Sequence, residues 1–306
     1  MTNHEPRTTN HGFMIAVDWG TSSFRAYRLA ADGTIVDKRA SALGILAVKD
    51  GKFAQALESE IGDWLGAGEA PVLMSGMIGS RQGWKEAPYA ACPAGLKEVA
   101  AGMVEVRWGS ARSAWIAPGL SCRDAQGVPD VMRGEETQIL GALEQVSARS
   151  PWICLPGTHS KWVKIEGGRI ARFATYMTGE VFAVMKAHSI LGRMMKEAKL
   201  DPVAFESGVL RAREPGGLLH HLFGVRARGL FGDLPDEDSA SYLSGLLIGH
   251  ELAAIPRLND TVYLLGAPEL THLYTEALKS YGVDTRILDP DAAVRGLFRL
   301  ASQQKA

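Results

Sequence analysis

Asp18 is followed by Trp19, Gly20, Thr21, Ser22 and Ser23, one carboxylate beside small and hydroxylic residues whose amides can turn toward a ligand. The oxygen of an Asp suits Mg²⁺, which takes one or two carboxylates and fills its other positions with water and phosphate oxygens. Thr21, Ser22 and the amides around Gly20 can hold a terminal phosphate. The same pattern suits a plain β-hairpin with a polar turn, so the rest of the chain has to decide. Gly157, Thr158, His159, Ser160 and Lys161 form a second turn of this kind, and two such hairpins could act as jaws around a polyphosphate. Lys161 is not a Walker lysine, because Gly-x-x-x-x-Gly-Lys-Ser/Thr is absent.

Three further stretches carry chemistry. In Gly76-Met-Ile-Gly-Ser-Arg-Gln-Gly-Trp84, Arg81 can bind a carboxylate through paired hydrogen bonds, Gln82 can reach hydroxyls and Trp84 can cover a sugar face. Gly134, Glu135 and Glu136 open a helix, where a carboxylate either complements the helix dipole or points into a cleft as a base. Gly266 and Ala267 lie where a strand turns into a helix starting at Pro268, a turn that lets a flat ring such as adenine approach the backbone.

The elements that must position these residues follow from periodicity. Met14 to Val17, Phe24 to Leu29 and Ile35 to Arg39 read as strands, and Phe53, Leu57, Ile61, Trp64 and Leu65 as the buried face of a helix between Gly51 and Gly66. Pro71 to Ser75 and Ala114 to Ala117 are strands, Lys85 to Cys92 is irregular and Leu120 to Val128 is a polar loop. Ile139, Leu140, Leu143 and Val146 mark a helix. The opening shape then repeats, with strands over 150–156, 162–165 and 170–173. A helix through Phe182, Met185 and Ile190 follows, then a mostly helical stretch from Asp201 to Arg257, a strand Thr261 to Leu265 and a last helix face of Leu270, Leu273, Tyr274, Ala277 and Leu278.

The 306 residues allow two domains, each with a core; 46% are hydrophobic and 22% charged, as in ordinary globular chains. A net charge of -1 with no Lys/Arg-rich run gives no field that would attract nucleic acid or an anionic membrane, and no apolar run is long enough to cross a bilayer. Cys92, Cys122 and Cys154 are widely separated, so neither a disulfide framework nor a thiolate zinc site is expected, and a reduced, cytoplasmic setting is the simplest account. The polar residues 1–11 lack the apolar stretch of a secretory signal and are expected to be a disordered tail. His220 and His221 lack a third ligand, and His188 lacks an acidic partner at a useful spacing.

Together these blocks have a family likeness. Asp18-Trp-Gly-Thr-Ser-Ser-Phe-Arg-Ala-Tyr27, Ser75-Gly-Met-Ile-Gly-Ser-Arg-Gln-Gly-Trp84, Met132-Arg-Gly-Glu-Glu-Thr-Gln138, Leu155-Pro-Gly-Thr-His-Ser-Lys-Trp162 and Thr178-Gly-Glu180 spread over nearly the whole chain. The chain resembles the superfamily of actin, heat-shock ATPases and sugar kinases, and more closely the 2-keto-3-deoxygalactonokinase family. The resemblance implies an α/β fold of two ribonuclease-H-like domains with a nucleotide cleft between them, 12–120 on the sugar-acid side and 121–306 on the nucleotide side. It implies ATP-dependent phosphorylation of 2-dehydro-3-deoxygalactonate at its C6 hydroxyl in galactonate breakdown, with ATP, Mg²⁺ and a small sugar acid as the partners. A homodimer is left open.

Under this resemblance Asp18 holds Mg²⁺, and Gly20 to Ser22 with Gly157 to Ser160 hold the β- and γ-phosphates. Related sugar kinases place a catalytic Asp in a Gly-Asp pair at a helix start, where this chain has Gly134-Glu135, so Glu135 is the first choice of base and Glu136 the second. Asp130 and Asp124 are further alternatives. Arg81 is expected on the substrate carboxylate with Arg25 as alternative or partner, beside Ser75, and Thr178 and Glu180 contact substrate hydroxyls or shape the cleft. Rival readings are a kinase of this fold for another small sugar or sugar acid, and a nucleotide-dependent sensor that transfers nothing. A filament protein like actin is disfavoured by the short chain.

Overall fold

The computed structural model describes residues 13–304 apart from 67–69, 257 and 259, so the tail expected over 1–11 lies outside the described residues. The apolar run at its start forms β1 (Met14–Trp19), which pairs antiparallel with β2 (Phe24–Leu29); β2 pairs antiparallel with β3 (Ile35–Ser41). Trp19 fixes this hairpin from below. It is fully buried, meets Phe24 edge-on at 5.0 Å between ring centroids, and donates its indole N–H to Leu43 O at 2.7 Å.

Helix α1 (Phe53–Leu65) buries the five residues that its periodicity singles out, and the chain returns as β4 (Val72–Ser75), parallel to β1. Then come β5 (Tyr89–Ala91), α2 (Leu96–Ala101), β6 (Val104–Trp108), β7 (Arg112–Ile116), β8 (Gly119–Arg123), β9 (Pro129–Met132) and α3 (Glu135–Ala142). The main sheet has the order β3-β2-β1-β4-β7-β6, and β5, β8 and β9 make a small second sheet. Two expectations change here. Leu120 is fully buried and pairs with Met132, so the start of the expected loop Leu120 to Val128 is strand, and the irregular stretch Lys85 to Cys92 contains β5.

The second half repeats the plan with β10 (Trp152–Leu155), β11 (Ser160–Glu166) and β12 (Arg169–Tyr176), followed by α4 (Thr178–His188), α5 (Pro202–Arg211), α6 (Gly217–Phe231), α7 (Ser239–Ala254), β13 (Val262–Leu264), α8 (Pro268–Ser280) and β14 (Thr285–Ile287). Its sheet order is β12-β11-β10-β13-β14, with β10, β13 and β14 parallel. Helix α4 ends at His188, before the expected Ile190. In both sheets a three-strand meander is followed by two parallel strands on its first-strand side, which is the ribonuclease-H-like arrangement occurring twice. The fold is that of the actin-type ATPases and sugar kinases.

The chain ends in α9 (Ala292–Gln304), which packs against α3. Two compact units result: one comprises the described residues up to Gln145, Gly168–Ile170 and the chain from Asp291 on; the other comprises Val146–Gly167 and Ala171–Pro290. The division therefore falls after Gln145 rather than at residue 120, and α9 belongs to the first unit. The cause is a backbone contact between two helices. A Cβ on Gly141 of α3 would lie 1.9 Å from Ala292 O, and one on Gly296 of α9 would lie 1.9 Å from Thr137 O. No side chain fits at either crossing point, and in the second unit Gly245 of α7 meets Phe205 O of α5 in the same way.

Gly296→Val is accordingly expected to force α9 off α3 and to lower unfolding free energy by about 3 kcal/mol, the upper part of the overpacking range. Urea denaturation checks this; an unchanged midpoint would show that the two helices are not locked together at these glycines.

Candidate active site

Asp18 is the last residue but one of β1, and two neighbours in the sheet define its surroundings. Across the hairpin it faces Arg25, whose guanidinium lies 3.3 Å from its carboxylate, and along the parallel β1/β4 pair it is level with Ser75. Beside it the turn Gly20 to Ser23 closes by Gly20 N–H donating to Ser23 O at 2.9 Å, and Gly44 to Leu46 brace it from behind, leaving Thr21 and Ser22 exposed. Burial raises the proton affinity of Asp18, Arg25 opposes this, and the negative charge of Glu135 raises it again.

Glu135 reaches this corner because α3 starts there. Gly134 has φ 105°, and a Cβ on it would come 3.1 Å from the Cα of Gly76, which itself has φ 92°. Only glycines let the end of β4 and the start of α3 approach so closely. Glu135 accepts a hydrogen bond from Arg133 N–H at 3.0 Å and Glu136 one from Gly134 N–H at 2.7 Å. The two acids differ in environment. Glu136 is fully buried, its Oε1 has no partner, and burial together with the charge of Glu135 pushes its pKa up to about 8. It is mostly protonated at neutral pH and a poor base, whereas Glu135 is half-buried at the site's edge.

The loop after β4 is placed differently from expectation. The Arg81 side chain is 87% exposed and pairs with Glu86, and Gln82 is exposed as well. Trp84 packs edge-on against Trp108 at 5.4 Å on the core of the unit. Asp18, Arg25, Ser75, Glu135 and Glu136 are thus brought together, and Arg81, Gln82 and Trp84 are not among them. Asp130 lies in β9, and Asp124 caps the β8/β9 turn by accepting from Gln126 and Val128 N–H. Among the described residues no group of three or more His, Cys, Asp or Glu is arranged to hold a metal.

In the second unit the turn from β10 to β11 exposes Thr158 and His159, while Ser160 and Lys161 are turned inward and buried. The first turn of α4 rests on it: Glu180 N–H donates to Thr158 O at 2.9 Å, and a Cβ on Gly179 would lie 2.5 Å from Gly157 O. Helix amides beside a glycine turn make a natural anion site. The His159 ring and the Glu180 carboxylate meet at 2.5 Å. Gly266 stands beside the same turn, where an added Cβ would be 3.3 Å from Pro156 O.

Beneath the turn lies a residue missed from the sequence. Glu251 of α7 is buried, accepts from Trp162 Nε1 at 2.6 Å, from Tyr274 Oη at 2.8 Å and from Thr178 Oγ1, and Ser160 Oγ lies 2.7 Å from the same Tyr274 hydroxyl. Burial raises its pKa against the opposing effect of these hydrogen bonds. It ties together both sides of the anion site. The available signal was a lone acid near the end of the apolar helix Ser239–Ala254.

A cavity of about 270 Å³ opens next to the turn, with Gly157, Thr178 and Gly179 at one end and Leu247, Ile248 and Leu270 among its apolar walls. Its walls come from α4, α7 and α8 rather than from Gly266 or Ala267. A larger cavity of about 560 Å³, lined by Phe205, His272, Glu276 and Lys279, touches none of the turn residues and is not the site.

Because the folded-state pKa of Glu136 lies above the ordinary 4.5, its contribution to stability is complete below pH 4.5 and is lost as pH rises to about 8. Glu136→Gln is expected to remove that slope. Urea midpoints of the two proteins across this window test it, and parallel curves would contradict the assigned burial of an uncharged acid.

The chain is similar to proteins of one family. The family profile described as 2-keto-3-deoxy-galactonokinase matches residues 18–300. A Rhizobium meliloti (strain 1021) protein named as a probable 2-dehydro-3-deoxygalactonokinase is 41% identical over 302 residues, 96% of this chain and 98% of the relative. The 2-dehydro-3-deoxygalactonokinase of Escherichia coli (strain K12) is 34% identical over 288 residues, 93% of this chain and 96% of the relative. A crystal structure from Sinorhizobium meliloti, under a similarly provisional name, superposes with a TM-score of 0.85 at 40% identity, covering 95% of this chain and 98% of that one. On these matches, the chain belongs to the 2-keto-3-deoxy-galactonokinase family.

Proposed function

We propose that this chain transfers the terminal phosphoryl group of ATP to the C6 hydroxyl of 2-dehydro-3-deoxy-D-galactonate, giving the 6-phosphate and ADP in galactonate breakdown. The observation that carries this reading is the meeting of Asp18, near the end of β1, with Glu135 at the start of α3, whose negative charge raises the proton affinity of Asp18. Phosphoryl transfer asks for alignment, charge neutralisation and a base at the attacking hydroxyl rather than for covalent help. The sugar acid is assigned to the first unit and the nucleotide to the second, with cytoplasmic ATP as donor.

Glu135 takes the proton of the C6 hydroxyl as its oxygen bonds to the γ-phosphorus; the bond from that phosphorus to the bridging oxygen breaks and ADP leaves. Asp18 suits Mg²⁺: burial and the charge of Glu135 both disfavour its bare carboxylate, and a cation offsets both. Asp18 would supply the ion one carboxylate, leaving its other positions to water and phosphate oxygens. When bound, the ion neutralises charge on the transferring phosphoryl group. Gly20 to Ser22 and the amides of Gly157 to His159 with the start of α4 hold the phosphates, and the adjoining apolar cavity takes the base.

A coupled ADP-release assay on 2-dehydro-3-deoxygalactonate, its gluconate epimer, galactonate and glycerol tests the reading. Strong turnover of the first with little on galactonate or glycerol is expected; silence across the panel with ATP still bound would overturn it. Glu135→Gln should lower kcat by about 10²- to 10⁴-fold with KM for ATP little changed. An equal loss in Glu136→Gln with Glu135→Gln near wild type would reverse the two roles.

A further inference from the structure

One arginine in the first unit is buried with two of its three guanidinium nitrogens lacking a hydrogen-bond partner. Arg133, between β9 and α3, is only 9% exposed, yet a guanidinium keeps its proton at any ordinary pH. Its Nη2 donates to Ala87 O at 2.7 Å, and its Nε and Nη1 have no partner. Glu135 and Glu136 accept hydrogen bonds from main-chain N–H groups, one of them that of Arg133 itself, and the positive charge of Arg133 favours the ionised form of Glu136. A buried donor left unpaired is costly, and a buried cation more so.

The surroundings of Arg133 share this lack of acceptors. Gly79 runs so close that a Cβ on it would lie 2.8 Å from Nη1. On either side of that loop the hydroxyls of Ser75 and Ser80 are also buried with no partner. Tyr89, 42% exposed, lies over the guanidinium face with its ring centroid 4.4 Å from the central carbon. A buried guanidinium with two unpartnered nitrogens calls for an anion with several acceptor oxygens. A carboxylate next to a keto oxygen has that form. Arg81, by contrast, is exposed to water and already paired with Glu86, so a carboxylate gains little by exchanging places there.

Resting on the kinase reading above, we infer that Arg133, rather than Arg81, binds the carboxylate of the acid substrate, with Ser75 and Ser80 at the same end of the molecule. Arg133 is then what separates sugar acids from neutral sugars.

The test compares 2-dehydro-3-deoxygalactonate with its C1 carboxamide, equal in size and uncharged. In the wild type kcat/KM favours the acid; Arg133→Met should reduce that preference by about 100-fold, as for removal of one partner of a buried charge pair. Arg133→Lys keeps charge and most of the volume but not the fork, and should reduce it by about tenfold. Damage to the fold alone lowers both substrates together and leaves the ratio intact, so an unchanged ratio in Arg133→Met overturns the inference. So does a collapse of the ratio in Arg81→Ala instead. The rise in Tm on adding acid or amide gives a second reading without turnover: the acid's advantage should vanish in Arg133→Met and persist in Arg81→Ala. If the wild type phosphorylates neither compound, the kinase reading fails while the Tm comparison still decides the role of Arg133.

Discussion

Charge repulsion among carboxylates at one end of the first unit is the constraint on which the site depends. Asp18 and Glu136 both feel the charge of Glu135, and burial denies them the water that would screen it. Left alone, such a cluster would push its members apart or protonate them. The fold holds it together by contacts with no slack: Gly134 against Gly76 at the strand end, and Gly141 against α9 one helix length behind. A cation bound beside Asp18 would offset this repulsion.

The second unit uses the same topology for a different purpose. Where the first hairpin ends in a carboxylate, the second ends in Pro156 and Gly157, with the start of α4 hydrogen-bonded to its turn. Its buried acid, Glu251, accepts hydrogen bonds from Trp162, Thr178 and Tyr274 and so joins β11, α4 and α8. A duplicated sheet thus supplies an acidic end and an amide-lined end.

Much of this was legible from sequence. The hairpin over Asp18, the helix face of Phe53 to Leu65, the second glycine-threonine hairpin and the start of α3 follow from local alternation and glycine placement, and each formed where expected. The burial of Arg133 did not follow, because it depends on Gly79, Ala87 and Tyr89, all distant in sequence. The inward turn of Ser160 was likewise set by Tyr274 on a helix more than a hundred residues later, at a separation of 114. Strand β8 looked like a loop because its polar end outweighed Leu120, and only pairing with β9 reveals it. The return of α9 to the first unit is a property of the α3 crossing and carries no local signal.

The proposed reaction moves a phosphoryl group from ATP to one hydroxyl of a sugar acid. Phosphorus NMR of the reaction of this chain with ATP, Mg²⁺ and 2-dehydro-3-deoxygalactonate reads that transfer directly. The account predicts one new phosphate monoester coupled to the C6 methylene protons, formed in step with ADP. ADP accompanied only by inorganic phosphate, or a phosphorus signal coupled to another carbon's proton, would contradict it.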